Sequence, residues 1–257
     1  MATGVLISLA GFDPTAGAGV ILDLKVFARH GLHGMGLCTA ITVQNTQAVC
    51  GLHCLPCELV LEQYRALAED IPIRGIKVGM LGCREHIRSV TGILEGSPGV
   101  PVIIDPVLRS SSGKWLLERD AVDDYMAALA GRISLLTPNL AEASWITGTD
   151  VSCLEEMHAA ARQIYQEHRI PCLIKGGHLE GGAPDLLYDG SSFQVFDKEK
   201  IPGNVHGTGC FFSSSVLCLL VLGHSLAEAC RLAGNQTREA IRSAVPVGKG
   251  RRLILPK

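Results

Sequence analysis

Aromatic side chains are scarce in this chain: Phe, Trp and Tyr make up 5% of its 257 residues, so Leu, Val, Ile and Ala must fill whatever core it builds. Charge of one sign is also lacking. A formal net charge of -2 argues against nucleic acid or an anionic membrane as the main partner. No apolar run is long enough to span a bilayer, because the longest contain Gly, Ser or His. No basic stretch precedes the first apolar run, Val5 to Leu9, so it reads as a strand and not as a signal peptide. The 10 cysteines lack a zinc-like arrangement: Cys54-Leu-Pro-Cys57 has no second pair, and Cys50 and Cys83 do not complete one. Cys38, Cys172, Cys218 and Cys230 sit among apolar residues, as small buried hydrophobes do. A chain of this size needs no disulfides to fold, and the simplest expectation is a reduced, cytoplasmic protein.

What is present is alternation. Hydrophobic residues, 47% of the chain, gather in short runs separated by amphipathic stretches. Strands are expected over residues 5–10, 35–43, 75–79, 102–105, 133–136 and 172–175, and helices over 18–29, 58–68, 85–94, 121–130, 141–147 and 154–167. Continuous apolar strands alternating with helices predict an α/β fold of three layers (αβα), a mostly parallel central sheet covered on both faces. A hairpin is expected at 185–188 and 193–196, and two closing helices at about 209–222 and 226–243. No linker or repeat divides the chain, so one domain spanning 1–257 is expected. In such folds ligands bind beyond the C-terminal ends of the strands. Gly11-Phe12-Asp13, Gln44-Asn45, Met80, Asp105-Pro106, Thr137-Pro138-Asn139 and Lys175-Gly176-Gly177-His178 all fall there.

The most telling run is Asn204-Val205-His206-Gly207-Thr208-Gly209-Cys210, which leads directly into a helix. Glycines at a helix start leave N–H groups without intrahelical partners, and with the helix dipole they favour a phosphate or charge developing on one. Cys210 stands at the mouth of that site, and a thiol at a helix N-terminus is expected to be lowered from its usual pKa. Residues 10–19 form a glycine-rich strand-to-helix turn that is neither a Walker A loop nor a dinucleotide fingerprint. Asp23, a few residues into the next helix, either caps locally or reaches into the cleft to accept from a substrate hydroxyl. Asn139 and Glu142 have the spacing of a capping box, and the same residues suit phosphate and the water shell of Mg²⁺. Asp105, at a buried strand end, needs either a cation or backbone N–H donors. The glycines after Lys175 let a phosphate approach the backbone closely.

These segments, in this order, resemble the ribokinase-like family, and are most similar to the hydroxymethylpyrimidine/phosphomethylpyrimidine kinases of thiamine biosynthesis. The resemblance runs from Leu6 to about Gly250 and includes Asp23-Leu24-Lys25, Thr42-Val43-Gln44-Asn45, Ile76-Lys77-Val78-Gly79-Met80-Leu81 and Asp105-Pro106-Val107. Sugar kinases of this fold usually carry Asp where Cys210 stands. The resemblance implies that Gly11, Asp23, Gln44, Met80 and Val107 line a pyrimidine pocket, with Asp23 holding the hydroxymethyl group. It implies that Lys175 and Asn139 serve ATP phosphates, that Glu142 and Asp105 serve Mg²⁺, and that Gly207, Thr208 and Gly209 supply an anion hole with Cys210 facing the acceptor hydroxyl. Cys210 then acts as base or mainly positions that hydroxyl. Pyridoxal phosphorylation and a non-catalytic pyrimidine-binding role are the alternatives. The partner is a small molecule, and a homodimer is among the assemblies the resemblance allows. Phe12 stands where these kinases commonly have a small residue, and Ala16 where glycine is frequent.

Overall fold

The computed structural model describes residues 4–110, 113–177, 184–197 and 201–256. The chain runs through β1 (Val5–Phe12), α1 (Gly19–Arg29), β2 (His33–Gln44), β3 (Val49–Cys54), α2 (Cys57–Asp70), β4 (Ile73–Val78), α3 (His86–Glu95) and β5 (Val102–Ile104). It continues through α4 (Val122–Leu129), β6 (Leu135–Leu136), α5 (Leu140–Thr147), α6 (Leu154–His168) and β7 (Cys172–Ile174). The hairpin β8 (Asp185–Tyr188) and β9 (Phe193–Phe196) follows, then β10 (Val205–His206), α7 (Thr208–Val221), α8 (Leu226–Arg242) and β11 (Arg252–Leu253). The large sheet has the order β3-β2-β1-β4-β5-β6-β7-β8-β9. The strands from β2 to β7 in that order pair in parallel, and β3, β8 and β9 are antiparallel additions at the edges.

Alternation along the strands splits the core in two. Ile7, Leu9, Ile76, Val78, Val102 and Ile104 pack with residues of α2 to α6 on one face. Leu6, Ile103, Leu135 and Leu173 pack with Phe27 of α1 and with α7 and α8 on the other. This is the expected three-layer arrangement, with a core of aliphatic residues. Lys77 belongs by register to the second face, between Ile76 and Val78, and is fully buried there.

Two features depart from the sequence reading. Residues 49–54 lie outside the expected strands and helices, and they pair with β2 from Ala40↔Cys54 to Gln44↔Val49. Their side chains are half-buried or exposed, so no apolar alternation marks them, and the length of β2 supplies the edge that recruits them. The C-terminal segment pairs β11 with β10, which carries residues 251–253 to the glycine turn before α7. Strands of two residues are too short to show any period.

Candidate active site

Two glycine turns interlock at the C-terminal ends of the parallel strands. The turn after β1 enters α1 through Gly19 at φ +60°, and a Cβ there would run into the carbonyl of Gly11. The turn before α7 passes through Gly207 at φ +83°, and a Cβ there would run into the carbonyl of Gly17. Only glycine meets both demands. Ala16 also lies in the left-handed region, at φ 56°, a conformation that glycine adopts more readily than alanine. His206 Nε2 lies 2.9 Å from Asp13 Oδ2 and ties the two turns together. Burial pushes the Asp13 carboxyl up, but hydrogen bonds from His206 and Thr15 outweigh it and hold the group below its ordinary range.

Gly207 caps α7 without a side chain, and the first helical bond runs from Phe211 N–H to the Gly207 carbonyl at 2.9 Å. The N–H groups of Thr208, Gly209 and Cys210 therefore have no intrahelical acceptor. A Cβ placed on Gly209 would sit 3.1 Å from Asp105 Oδ2 and 3.4 Å from Lys175 Nζ. The space over the helix start is thus bounded by a carboxylate and an ammonium, themselves paired at 2.8 Å. Asp105 takes its cation from Lys175, so of the two readings the sequence left open, the cation is the one that forms.

A cavity of about 760 Å³ opens over this floor. Its wall carries Gly11, Gln44, Met80, Asp105, Val107, Asn139, Glu142, Lys175, Gly207, Thr208, Gly209 and Cys210. Met80 packs against Gly11 so closely that any side chain there would overlap its terminal methyl. Asn139 and Glu142 do form the capping box of α5, at 2.8 and 2.9 Å, and both still face the cavity. Burial pushes Glu142 up to about 7; Lys175 opposes this and Asp105 adds to it. Among the described residues no three His, Cys, Asp or Glu side chains gather as a metal site. Mg²⁺ keeps most of its waters, however, and two neighbouring carboxylates balanced by one ammonium leave negative charge that a divalent cation relieves. Glu142 and Asp105 fit that requirement.

Asp23 does not belong to the wall. Its side chain is fully buried, with Oδ2 accepting from Lys77 at 2.8 Å and Ser8 at 2.6 Å, and Oδ1 accepting from Ser214 at 2.8 Å. Both carboxylate oxygens are engaged inside the protein, so the expectation that Asp23 holds a hydroxymethyl group in the cleft is corrected. The expected lowering of Cys210 is corrected as well: burial outweighs the attraction of Lys77 and pushes the thiol up to about 11. All ten cysteines are free thiols. His178 lies outside the described residues. Sequence reasoning missed Lys77, the Asp13–His206 pair, and Arg109 and Arg238 on the wall. Asp13 and His206 are 193 positions apart, and no local pattern announces their meeting.

A parallel α/β sandwich with an open helix start, an adjoining lysine and paired carboxylates is the architecture of a phosphotransferase. The comparisons define it further. The family model for phosphomethylpyrimidine kinase matches residues 13–254. A hydroxymethylpyrimidine/phosphomethylpyrimidine kinase from Aquifex aeolicus is 38% identical over 96% of this chain and 97% of its own length. A thiamine biosynthesis bifunctional protein from Geobacter sulfurreducens is 38% identical, and the match spans 51% of its length. Among solved structures, phosphomethylpyrimidine kinase from Clostridium difficile superposes with a TM-score of 0.82 at 34% identity, covering 93% of this chain and 100% of that one. Pyridoxal kinase from Staphylococcus aureus in complex with ADP gives 0.91 at 28% identity, over 100% and 94% of the two chains. The chain belongs to the phosphomethylpyrimidine kinase family, and its fold is ribokinase-like.

Proposed function

We propose that this protein transfers the γ-phosphoryl group of ATP to the hydroxymethyl group of 4-amino-5-hydroxymethyl-2-methylpyrimidine, and then phosphorylates the resulting monophosphate, for thiamine biosynthesis. It works as one cytoplasmic domain. The observation that carries this reading is the meeting of the open start of α7, Cys210 and the Lys175–Asp105 pair around a single cavity. Gly11, Gln44, Met80 and Val107 hold the ring. The N–H groups of Thr208, Gly209 and Cys210 and the Lys175 ammonium take up charge on the transferred oxygens, and Asn139 faces the phosphates. Glu142 and Asp105 hold Mg²⁺, which when bound neutralises charge on the phosphate chain. The substrate hydroxyl oxygen bonds to the γ-phosphorus as the bond from that phosphorus to the β–γ bridging oxygen breaks, and ADP leaves. Cys210, whose thiol burial keeps protonated, positions the hydroxyl, and the hydroxyl proton leaves to solvent late in the transfer.

A second reading, pyridoxal as acceptor, is favoured by the structural likeness. The Staphylococcus aureus pyridoxal kinase bound to an ATP analogue and pyridoxal superposes with a TM-score of 0.91, above the 0.82 of the Clostridium difficile phosphomethylpyrimidine kinase. The deciding experiment supplies the purified protein with ATP and Mg²⁺ and offers each acceptor separately, with products resolved by chromatography. Pyrimidine mono- and diphosphate are expected. Pyridoxal phosphate alone would move the protein to the second reading, and no product from either would leave a binding protein.

A further inference from the structure

We propose that Thr46 is a positioning residue, held by a C-terminal strap (residues 250–253) that fixes the Gln44 end of the cavity against the glycine turn before α7. The inference rests on the reading that Gln44 holds the acceptor ring, and deepens it. β2 delivers Gln44 to the cavity wall, and the chain turns directly after it. Asn45 Oδ1 accepts from the N–H groups of Gln47 at 2.8 Å and Ala48 at 3.1 Å, and the Asn45 N–H donates to the Ala48 carbonyl at 3.1 Å. The turn therefore keeps its shape, and whatever holds Thr46 also holds Gln44. What holds Thr46 comes from the other end of the chain. Its carbonyl accepts from the Arg251 N–H at 2.8 Å, and its hydroxyl accepts from the Gly250 N–H at 3.1 Å. The approach is so close that a Cβ on Gly250 would run into the Thr46 carbonyl.

The same segment continues to the phosphate side. The Arg252 N–H donates to the Asn204 carbonyl at 3.1 Å, and β11 pairs with β10 through Val205↔Arg252 and His206↔Leu253. A Cβ on Gly17 would lie 2.7 Å from Leu253 Cδ2 and 2.8 Å from His206 Cδ2, so strap, β10 and the first glycine turn meet at one point. His206 carries the bond to Asp13 and precedes Gly207. An unbroken run of contacts thus joins Gln44 to the open N–H groups of α7. Stability does not explain it. Leu253 and Ile254 are buried and anchor the tail, Ile254 among Leu22, Val26 and Phe211 of α1 and α7. Residues 246–250 are exposed, and the two bonds to Thr46 lie at this wet rim, where a hydrogen bond adds little. Their effect is geometric. Ring and phosphoryl group are held by different elements, and a misplacement of about 1 Å between reactants costs about 10²-fold in rate.

The test uses the full chain with ATP and Mg²⁺ and whichever acceptor, hydroxymethylpyrimidine or pyridoxal, the wild type phosphorylates. Thr46→Val keeps the shape and removes the acceptor for the Gly250 N–H. It should raise KM for the acceptor about three- to tenfold, the worth of one hydrogen bond, and leave KM for ATP unchanged. Thr46→Ser keeps the hydroxyl and should restore the wild-type value. Gly250→Val, whose side chain drives the strap off Thr46, should raise the acceptor KM further and lower kcat as well. Thr46 and Gly250 lie outside the core, so these variants fold. A second measurement needs no acceptor: trypsin cleavage after Arg251 and Arg252, followed by mass spectrometry as loss of the C-terminal peptide, should be several times faster in Thr46→Val than in wild type or Thr46→Ser. A wild type that phosphorylates neither acceptor refutes the activity reading, and the trypsin rates then decide the strap alone. Unchanged cleavage in Thr46→Val overturns the strap. An unchanged acceptor KM, an equal rise in KM for ATP, or a serine variant no better than valine overturns Thr46 as a positioning residue.

Discussion

Two Asp–Lys pairs approach α7 at the same 2.8 Å separation, one through Ser214 and one beside Gly209, and they do different things. Asp23–Lys77 is closed: both side chains are 0% exposed, and the remaining Asp23 oxygen is taken by a serine of α7. Asp105–Lys175 is open: Lys175 is 19% exposed, Glu142 adds a second carboxylate, and Gly209 leaves free space beside both charges. A closed pair fixes an electrostatic background. An open pair can exchange partners, the ammonium turning to a phosphate and the carboxylate to a cation. The identical distances say nothing of this; access does.

The largest effect that sharpens the contrast is expected at Lys175. Lys175→Met should lower kcat/KM about 10²- to 10³-fold, the usual loss when one donor to a developing oxyanion is removed, with a smaller loss of stability than Lys77→Met because this pair borders the open cavity. Lys77→Met should instead cost roughly 3–5 kcal/mol of stability, by leaving Asp23 buried and unpaired. Urea unfolding and steady-state kinetics on both variants check this, and a Lys175→Met protein as destabilised as Lys77→Met would erase the distinction. The glycines of the same turn divide in the same way. Gly207→Ala forces a side chain into the left-handed region and against the Gly17 carbonyl, so about 2 kcal/mol or more should be lost, read from the urea midpoint. Gly209→Ala should fold normally and lose activity, because its Cβ enters only the space between Asp105 and Lys175. Near-normal turnover in Gly209→Ala would remove the helix start from the phosphate site.

The same contrast explains what the sequence made legible. Lys175 could be read because it ends an apolar run and precedes two glycines, and Gly207 to Cys210 because glycines before a helix are unusual in any register. The parallel core was readable from Val-Ile-Ile at β5 and Cys-Leu-Ile at β7, since continuous apolar triplets suit strands buried on both faces. Lys77 was not, because a lysine inside Ile-Lys-Val reads as an ordinary outward-facing strand residue until α1 and α7 are seen to cover that face. Asp23 was misread for the matching reason: position on a helix does not say whether a cavity or Lys77 lies opposite. Burial of the Cys210 sulfur is likewise a tertiary property, and it reverses the local expectation drawn from the helix N-terminus.

The smallest expected effect separates the pairs by proton uptake. Glu142 is raised to about 7 in the folded protein by burial and by Asp105. A raised carboxyl binds a proton that the unfolded chain has already released, so it stabilises the fold below its unfolded pKa and loses that contribution as pH rises toward 7. Without ligand, stability carried by this group should therefore fall between about pH 4.5 and 7, by at most roughly 3 kcal/mol. Asp13, held below the ordinary carboxylate range, acts at lower pH and with the opposite sign, so the two do not overlap. Glu142→Gln should flatten the slope, measured by urea unfolding at about pH 5 and about pH 7 in the presence of a chelator. Mg²⁺ with ATP should flatten it in the wild type, because a cation in place of the proton leaves nothing to release. An unchanged slope in Glu142→Gln would remove this carboxyl as the source of the proton uptake and leave it to the open pair only as a ligand for the cation.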